Sequence, residues 1–432
     1  TECQKNEILN IRKLDNLSKK TVAFISHKGL TFGTLNKLFE KSLYFSEDVN
    51  SCLNKYNILH LDYSNYSSPE KHISWVSLKK VKFSNTKIFL KTLAAGMKTF
   101  YLIRSWQGFH GWILCIFHYS IYIKYCEIIK KFKDLKIAIV DYEALCPKTL
   151  LLALEKNNIK TVATQERFVH TFLTSWVNVM LDTYYVASEF AANIIKNSKY
   201  YDIKNVIPVG QYRSDYISIY KKHSAPREIS KAKDNGKKIL IALGFDSSEN
   251  WFESYIDLNS SWITQMDFLE DMIRLSQNLE NTFIVLRYKT LNWSKKEYFK
   301  KIIDKIYRCE NIILSNNYEE AFYSYKLCAH ADLIIARATS IADECLANEI
   351  PVLFHEYTRN MTSIVSHIPN YLSPELACYD FEELYQKCKS ILNSDQNQLR
   401  EEVKKMNERI YYVSEQEQIK TKIIKDLEKR LV

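Results

Sequence analysis

The sequence predicts an α/β protein with two Rossmann-like domains, a cleft between them and a C-terminal helical tail. Short apolar runs alternate with helical patterns along most of its 432 residues, as in parallel sheets covered by helices. A polar, charged segment at residues 221–237, which contains Pro226 and Gly236, divides this alternation into two parts. In residues 331–357 an apolar run, a polar turn, a helical segment and a second apolar run follow one another. Open sheets of this kind bind ligands at the carboxyl ends of their strands.

The first domain is predicted to occupy residues 1–220. Its glycines Gly29 and Gly33 do not form GxGxxG, so no dinucleotide site is predicted. The apolar stretch at 112–123 is short for a membrane span and contains polar side chains, so a buried helix is expected there. Strands are predicted at 21–26, 57–61, 136–141, 160–164, 182–188 and 205–209, and helices at 34–42, 86–133 and 147–157.

The second domain is predicted to occupy residues 238–380, after a linker at 221–237. The charged tail, residues 381–432, is expected to form helices that pack back across both domains. Strands are predicted at 238–243, 282–287, 311–314, 332–336 and 351–354, and helices at 264–279, 295–307, 319–330 and 341–347.

Composition narrows the function classes. The formal charge of +10 is spread along the chain, which indicates either solvated Lys-rich helices or a basic face that meets anionic membrane or an anionic sugar polymer. No nucleic-acid-binding motif is present, so nucleic acid is not an expected partner. Ten cysteines are scattered without a CxxC pair, and the first residues are polar. These features predict free thiols in the cytoplasm, with peripheral contact at the inner face of the membrane.

Two carboxylates follow predicted strands and are candidates for chemistry. Asp246, in the Gly-Phe-Asp-Ser-Ser loop after the first strand of the second domain, suits a base, a nucleophile, a charge stabiliser or a helix cap. Glu166 ends a strand of the first domain and either faces Asp246 across the cleft or forms a surface turn with Arg167. Facing carboxylates are what glycosyl chemistry uses.

Cations and hydroxyls follow other strands. Arg287 and Lys289 end the strand at 282–287, where they suit a diphosphate or a sugar carboxylate, or else remain solvated. In the turn that begins at Arg337, hydroxyls are expected to cap a helix and to bind an anion at its N-terminus. The candidate ligand-binding residues of this turn and helix are Arg337, Thr339, Ser340 and Glu344.

Three further observations concern the acceptor side, the hinge and metal binding. His27 and Lys28 follow the first strand and are candidates for contact with an acceptor, or else solvent-facing. Arg213 and Asp215, at the end of the first domain, are expected to pair with each other at the hinge. Metal-binding spacings such as HExxH are absent, so neither a metal nor another cofactor is expected.

The order of these motifs resembles the GT-B glycosyltransferases of bacterial surface polysaccharide assembly, which include capsule-synthesis proteins, CDP-glycerol polymerases and Kdo transferases. The matching segments are VGQYRSDYI from position 209, GFDSS from 244 and RATSIADECLANEIPVLF from 337. The resemblance implies that the second domain holds the nucleotide and the first holds the acceptor. It places Arg337, Thr339, Ser340 and Glu344 in the donor site and Glu166 on the acceptor side.

Two features of the second domain bear on which nucleotide-activated donor is expected. Family members usually carry an Arg/Lys-x-His-Pro motif after the second strand of the nucleotide domain, where this chain reads Arg287-Tyr288-Lys289-Thr290. An Asp directly after the first strand resembles a subset of retaining Kdo transferases, which implies that Asp246 is the nucleophile and favours CMP-Kdo as donor. The expected partners are therefore a nucleotide sugar and a glycan or lipid-linked glycan. Two alternatives remain, a CDP-polyol phosphotransferase and a non-catalytic carbohydrate- or nucleotide-binding subunit.

Overall fold

A computed structural model provides the architecture for most of the chain. The described residues are 21–26, 57–62, 74–77, 85–140, 143–144, 146–172, 178–211, 213–245, 261–317, 320, 322–337, 339–357, 371–394, 398–414 and 417–431.

Within these residues, seven parallel strands form the first sheet, in the order β3-β2-β1-β4-β5-β6-β7. The strand order reverses at β1, which pairs with both β2 and β4, so the sheet is doubly wound. The strands are β1 (Thr21–Ser26), β2 (Asn57–Asp62), β3 (Ser74–Ser77), β4 (Leu135–Val140), β5 (Lys160–Thr164), β6 (Met180–Val186) and β7 (Asp202–Pro208).

Six parallel strands of the described chain form the second sheet, in the order β10-β9-β8-β11-β12-β13. It reverses in the same way at β8, which pairs with both β9 and β11. Its central strands read as continuous apolar runs because helices cover both faces. The strands are β8 (Lys238–Leu243), β9 (Thr282–Arg287), β10 (Ile312–Leu314), β11 (Leu333–Ala336), β12 (Val352–His355) and β13 (Ala377–Cys378).

Helices connect the strands and close the chain. Those of the first part and the linker are α1 (Asn85–Thr99), α2 (Trp106–Ile129), α3 (Lys148–Lys156), α4 (Glu189–Asn197), α5 (Ser214–Tyr220) and α6 (Arg227–Asp234). Those of the second part and the tail are α7 (Trp262–Asn278), α8 (Glu297–Arg308), α9 (Tyr323–Cys328), α10 (Ile341–Leu346), α11 (Phe381–Asn393), α12 (Gln398–Met406) and α13 (Ile419–Leu431).

These two doubly wound sheets with covering helices confirm the predicted fold class. The prediction of one buried helix near residue 112 is wrong in two respects. The helical region consists of α1 and α2, separated by a short turn in which the Ser105 side chain caps α2 by accepting a hydrogen bond from the Gly108 amide. In addition, Leu114 and Phe117 are 59% and 58% exposed, and only the end of α2 is buried.

The tail contacts both halves of the molecule. The Asn407 side-chain amide donates to the carbonyls of Leu346 and Ala347, at 3.1 and 2.9 Å, beside the second sheet. Helix α13 lies on the first sheet, where the Tyr185 hydroxyl donates to Asp426 at 2.6 Å. The residue bounds of the domains remain a prediction.

Gly210 permits the close approach of α13. Its φ is +124°, and a Cβ at this position would lie 2.6 Å from Cγ1 of Ile419 at the start of α13. A side chain here would therefore meet both an unfavourable backbone conformation and a neighbouring helix.

Gly210→Ala is expected to lower the free energy of unfolding by about 2–4 kcal/mol, because strain and overpacking add. Gly236→Ala is the matched control, since Gly236 also has positive φ, at +73°, but a Cβ there would meet nothing within 4 Å. The control should lose only about 1 kcal/mol. Urea unfolding measures both, and equal losses would show that the contact with Ile419 does not contribute.

Candidate active site between the two sheets

Glu166 lies at the carboxyl edge of the first sheet, directly after β5, and is 6% exposed. Its Oε1 accepts a hydrogen bond from Arg213 at 3.1 Å, and its Oε2 accepts one from Arg167 at 3.3 Å. Two guanidinium groups thus hold a buried carboxylate at the edge where ligands bind in this fold.

Arg213 follows β7 and has a left-handed backbone, with φ of +68°. We expected it to pair with Asp215, but the structure gives it Glu166 as partner, while Asp215 accepts from the backbone amide of Lys420 at 3.4 Å. The left-handed turn at Arg213 directs the side chain back to the sheet edge, and Asp215 on α5 faces the tail.

Glu344 brings a second carboxyl group to the same place from the second half of the chain. It lies on α10 and is fully buried. Neither of its oxygens has a hydrogen-bond partner of normal geometry within the described ranges. Burial raises the pKa of Glu344 well above its usual range, although the nearby Arg213 guanidinium and Tyr325 hydroxyl oppose this effect. Burial therefore favours the neutral form of Glu344, which lies close to the Glu166–Arg213 pair.

Arg337 follows β11 and is 3% exposed. Its Nη2 donates to Oγ1 of Thr264, in the first turn of α7, at 2.7 Å. Nearby, His355 at the end of β12 pairs with Asp271 of the same helix at 3.1 Å, and burial lowers the pKa of His355. The carboxyl edge of the second sheet thus places a cation beside the N-terminus of a 17-residue helix.

Thr339 and Ser340 lie in the turn between β11 and α10 and are half-buried. The prediction that their hydroxyls cap the helix is wrong for Ser340, which occupies the cap position with helical backbone angles and makes no side-chain cap hydrogen bond. Its hydroxyl is thus not committed to capping the helix.

Arg287 ends β9 but is not solvated. It is 7% exposed, and its guanidinium donates to Ser324 at 3.0 Å and to Ser315 at 3.3 Å. Ser315 in turn donates to Glu228 of the linker helix α6 at 3.2 Å. Arg287 therefore joins the linker to the second sheet, whereas Lys289, two residues on, is exposed.

Asp246, His27 and Lys28 lie outside the described residues. The loop that leads to Asp246 begins at Gly244, whose missing Cβ would lie 2.1 Å from the ring of Tyr288. Tyr288 is itself buried, so only glycine fits at the point where the chain leaves β8.

The sequence did not reveal a buried cluster around Glu143. This residue follows β4 and is 1% exposed, and its Oε1 accepts from the Tyr184 hydroxyl at 2.9 Å and from the Glu166 backbone amide at 3.2 Å. His170 Nδ1 lies 2.9 Å from the same oxygen. The position of Glu143 just after a strand was a usable signal, but its partners are 23 to 41 residues away along the chain.

The facing edges therefore differ in chemistry. The first sheet contributes carboxylates at Glu143 and Glu166, and the second contributes buried guanidinium groups at Arg287 and Arg337 together with the neutral acid Glu344. Among the described residues, no group of three or more His, Cys, Asp or Glu side chains is placed to hold a metal ion. The arrangement is suited to binding an anionic ligand on one side and a hydroxyl-bearing ligand on the other.

No protein-family model matches the chain, and no curated protein matches it significantly in sequence. Solved structures resemble it over at least 91% of its length at 12–13% identity. The S. aureus MnaA–UDP complex has a TM-score of 0.55 at 12% identity, and the alignment covers 95% of this chain and 97% of that one. A putative UDP-N-acetylglucosamine 2-epimerase from Listeria monocytogenes has a TM-score of 0.54 at 13% identity, and the alignment covers 91% of this chain and 92% of that one. The wall teichoic acid polymerase TagF has a TM-score of 0.51 at 13% identity, and the alignment covers 100% of this chain and 98% of that one.

These likenesses show the fold. The two Rossmann-like halves are arranged as in enzymes of the GT-B type.

Glu344→Gln is expected to flatten the pH dependence of stability. Its raised pKa keeps Glu344 protonated in the native state to a higher pH than in the unfolded chain, which loses this proton above about pH 4.5. The unfolded state then binds fewer protons, so the native protein loses up to about 1.4 kcal/mol per pH unit until the folded pKa is reached.

Glutamine is neutral at every pH. The free energy of unfolding of the variant should therefore rise relative to that of the native chain as the pH increases from about 5 to 8. Thermal unfolding across this range measures the effect. Glu310→Gln, at an exposed glutamate, is the control and should follow the native curve. Parallel curves for native protein and Glu344→Gln would contradict the assignment of Glu344 as a neutral acid.

Proposed function

We propose that this chain is a metal-independent glycosyltransferase that moves a sugar from a nucleotide-activated donor to a growing bacterial surface glycan. The observation that carries the proposal is the pair formed by Arg337 and Thr264 at the N-terminus of α7. A buried guanidinium beside a helix N-terminus favours an anionic ligand. The phosphate of a nucleotide sugar is anionic. The hydroxyl of Ser340, which makes no cap hydrogen bond to the helix, lies in the turn that follows Arg337.

In this proposal the donor lies on the second sheet and the acceptor on the first. Arg337, Thr339, Ser340 and Lys289 bind the phosphate or the sugar carboxylate. Arg287 holds the edge of the second sheet in place, since its Nε and Nη1 donate to serine hydroxyls. Glu344, as a buried neutral acid, donates a hydrogen bond to the ligand. The acceptor lies against His27, Lys28 and Glu166.

The chemistry assigned to this arrangement uses two carboxylates. Asp246 acts as nucleophile or stabilises the oxocarbenium-like transition state, and Glu166 exchanges the proton of the acceptor hydroxyl. Glu166 is held in a fixed position by Arg167 and Arg213, which supports a positioned rather than a mobile carboxylate. No step needs a metal ion, so chelation with EDTA should leave the rate unchanged.

The preferred donor is CMP-Kdo. The alternatives are transfer of a polyol phosphate from a CDP-activated donor in the same cleft, and binding without catalysis. The cytoplasmic location that such a donor requires is part of the proposal and is supported by the free thiols of the cysteines in the described ranges.

A nucleotide panel separates these donors. CMP at about 100 times its Kd should raise the unfolding free energy by about 2.7 kcal/mol, and CDP, UDP, GDP and ADP should have smaller effects. Arg337→Met should abolish the thermal shift with CMP, whereas Arg308→Met, at an exposed arginine of α8, should retain it. A selective shift with CDP, UDP or GDP would discard CMP-Kdo, and no shift with any nucleotide would favour the non-catalytic alternative.

Asp246→Asn is expected to lower the transfer rate by a factor of about 10³ or more, because it removes the nucleophile or the charge that stabilises the transition state. The nucleotide-induced thermal shift should persist, since the amide is isosteric with the carboxylate. Asp304→Asn, at an exposed position on α8, is the matched control and should transfer at the native rate. Full activity of Asp246→Asn would remove this residue from the mechanism.

A further inference from the structure

Helices α1 and α2 form an antiparallel hairpin, residues 85–129, whose far end projects from the first sheet. Its base is held by ion pairs from Lys87 and Lys91 to Glu127, at 3.1 and 2.8 Å. Near its tip, the Trp112 indole donates to Oγ1 of Thr99 at 3.0 Å. The hairpin is therefore an ordered element with its own internal contacts.

The outer surface of this hairpin is apolar and exposed. Large side chains on both helices and on the turn are between 58% and 76% exposed, namely Phe89, Met97, Tyr101, Trp106, Leu114 and Phe117. Helix α2 is long and apolar enough to cross a membrane by length and composition, yet only 28% of its most apolar window is buried. Apolar surface of this extent, on a helix without a polar face, is typical of a binding surface.

A groove of about 400 Å³ opens between the two helices. It is lined by Phe89, Leu93, Met97, Trp112 and Ile116, with Gly96 at its floor. A Cβ at Gly96 would lie 3.4 Å from the Trp112 ring, which is an ordinary van der Waals contact. The lining presents almost only carbon atoms, which matches a hydrocarbon chain.

The charge of the hairpin identifies its partner. Residues 85–126 contain no Asp or Glu, although the chain has 50 acidic residues in 432. Lys98 and Arg104 are exposed beside the tip. A second copy of this chain would place these cations against themselves, because a two-fold interface uses the same patch twice. An anionic lipid surface instead complements both the cations and the apolar side chains.

We propose that the hairpin inserts its exposed apolar surface into one leaflet of a membrane that contains anionic lipid. Tyr101 and Trp106 lie at the tip, and such amphipathic rings are favoured at the membrane interface. This surface belongs to the folded hairpin, whereas helix α13 of the charged tail packs on the first sheet.

The hairpin docks on the membrane without spanning it. The unbroken exposed or half-exposed part of α2 is residues 106–122, a length of about 26 Å, and the hydrocarbon core of a bilayer is about 30 Å thick. The remaining part of the helix belongs to the protein core, where Ile128 and Ile129 are each 1% exposed. The hairpin contains none of the residues proposed for the candidate active site, so its membrane binding is independent of the proposed function.

Vesicle co-sedimentation of the full chain tests the proposal, with phosphatidylcholine vesicles that contain about 30% phosphatidylglycerol. Tyr101→Glu combined with Trp106→Glu should reduce binding about tenfold or more, because both side chains would leave the apolar layer. Tyr200→Glu combined with Tyr307→Glu is the matched control, since these tyrosines are 60% and 71% exposed elsewhere and the charge change is the same. The control should bind like the native chain.

A second pair of variants tests the electrostatic part. Lys98→Gln combined with Arg104→Gln should weaken binding to the anionic vesicles, whereas Lys301→Gln combined with Lys305→Gln, which changes the charge equally on exposed positions of α8, should not. Circular dichroism and the nucleotide-induced thermal shift report folding and the candidate active site separately.

Three results would overturn the proposal. They are failure of the native chain to bind vesicles, equal losses in the hairpin and control variants, and a native oligomer in sedimentation velocity that the hairpin variants dissociate while vesicle binding is unchanged. Binding that is lost in the hairpin variants alone supports it, whatever nucleotide the protein binds.

Discussion

The architecture depends on one guanidinium group. Arg213 leaves the first sheet in a left-handed turn, pairs with Glu166 and lies beside Glu344 and Tyr325 of the second half. The residues that follow it continue the junction, since Tyr216 stacks on Phe322 with ring centroids 4.1 Å apart, and the Asn348 side chain donates to the Ser214 carbonyl at 3.2 Å. A partly buried charge is stabilised by partners from both sides. The same side chain therefore lies between the carboxyl groups of both halves of the candidate site.

The distribution of charge around this junction follows from burial. Ionised side chains away from water are stable only when opposite charges or hydrogen-bond donors surround them, and otherwise they become neutral. Glu166 has two guanidinium partners, whereas Glu344 lies where desolvation raises its pKa. Asp343, its neighbour on α10, instead accepts from the hydroxyls of Tyr371 and Tyr411. Adjacent carboxyl groups thus differ in role because one points to hydroxyl donors and the other to the junction.

Much of the fold was predictable because a strand such as β8 or β11 is an unbroken apolar run, and only a covered parallel sheet accommodates such a run. The exposure of α2 was not predictable from the sequence, because an apolar helix has the same sequence pattern whether it lies in a protein core or against lipid. At the site, positions next to strands were predictable and partners were not. Glu143 meets His170 and Tyr184 across 27 and 41 residues, and Arg213 reaches Glu166 across 47. Such contacts follow from the strand order, which local patterns do not encode.

The C-terminal helix has a consequence for how the protein is made. Helix α13 covers Gly210 and contributes Asp426 to Tyr185, a contact between residues separated by 241 positions. Its inner face, with Ile423 and Leu427, is almost completely buried. The strands of the first sheet end at Pro208, so more than 200 residues must leave the ribosome before this cover exists. At a synthesis rate of about 5–20 residues per second, the surface around Gly210 stays uncovered by α13 for about 10–45 s. During translation, this part of the first sheet therefore remains without its native cover for longer than the sheet itself takes to be synthesised.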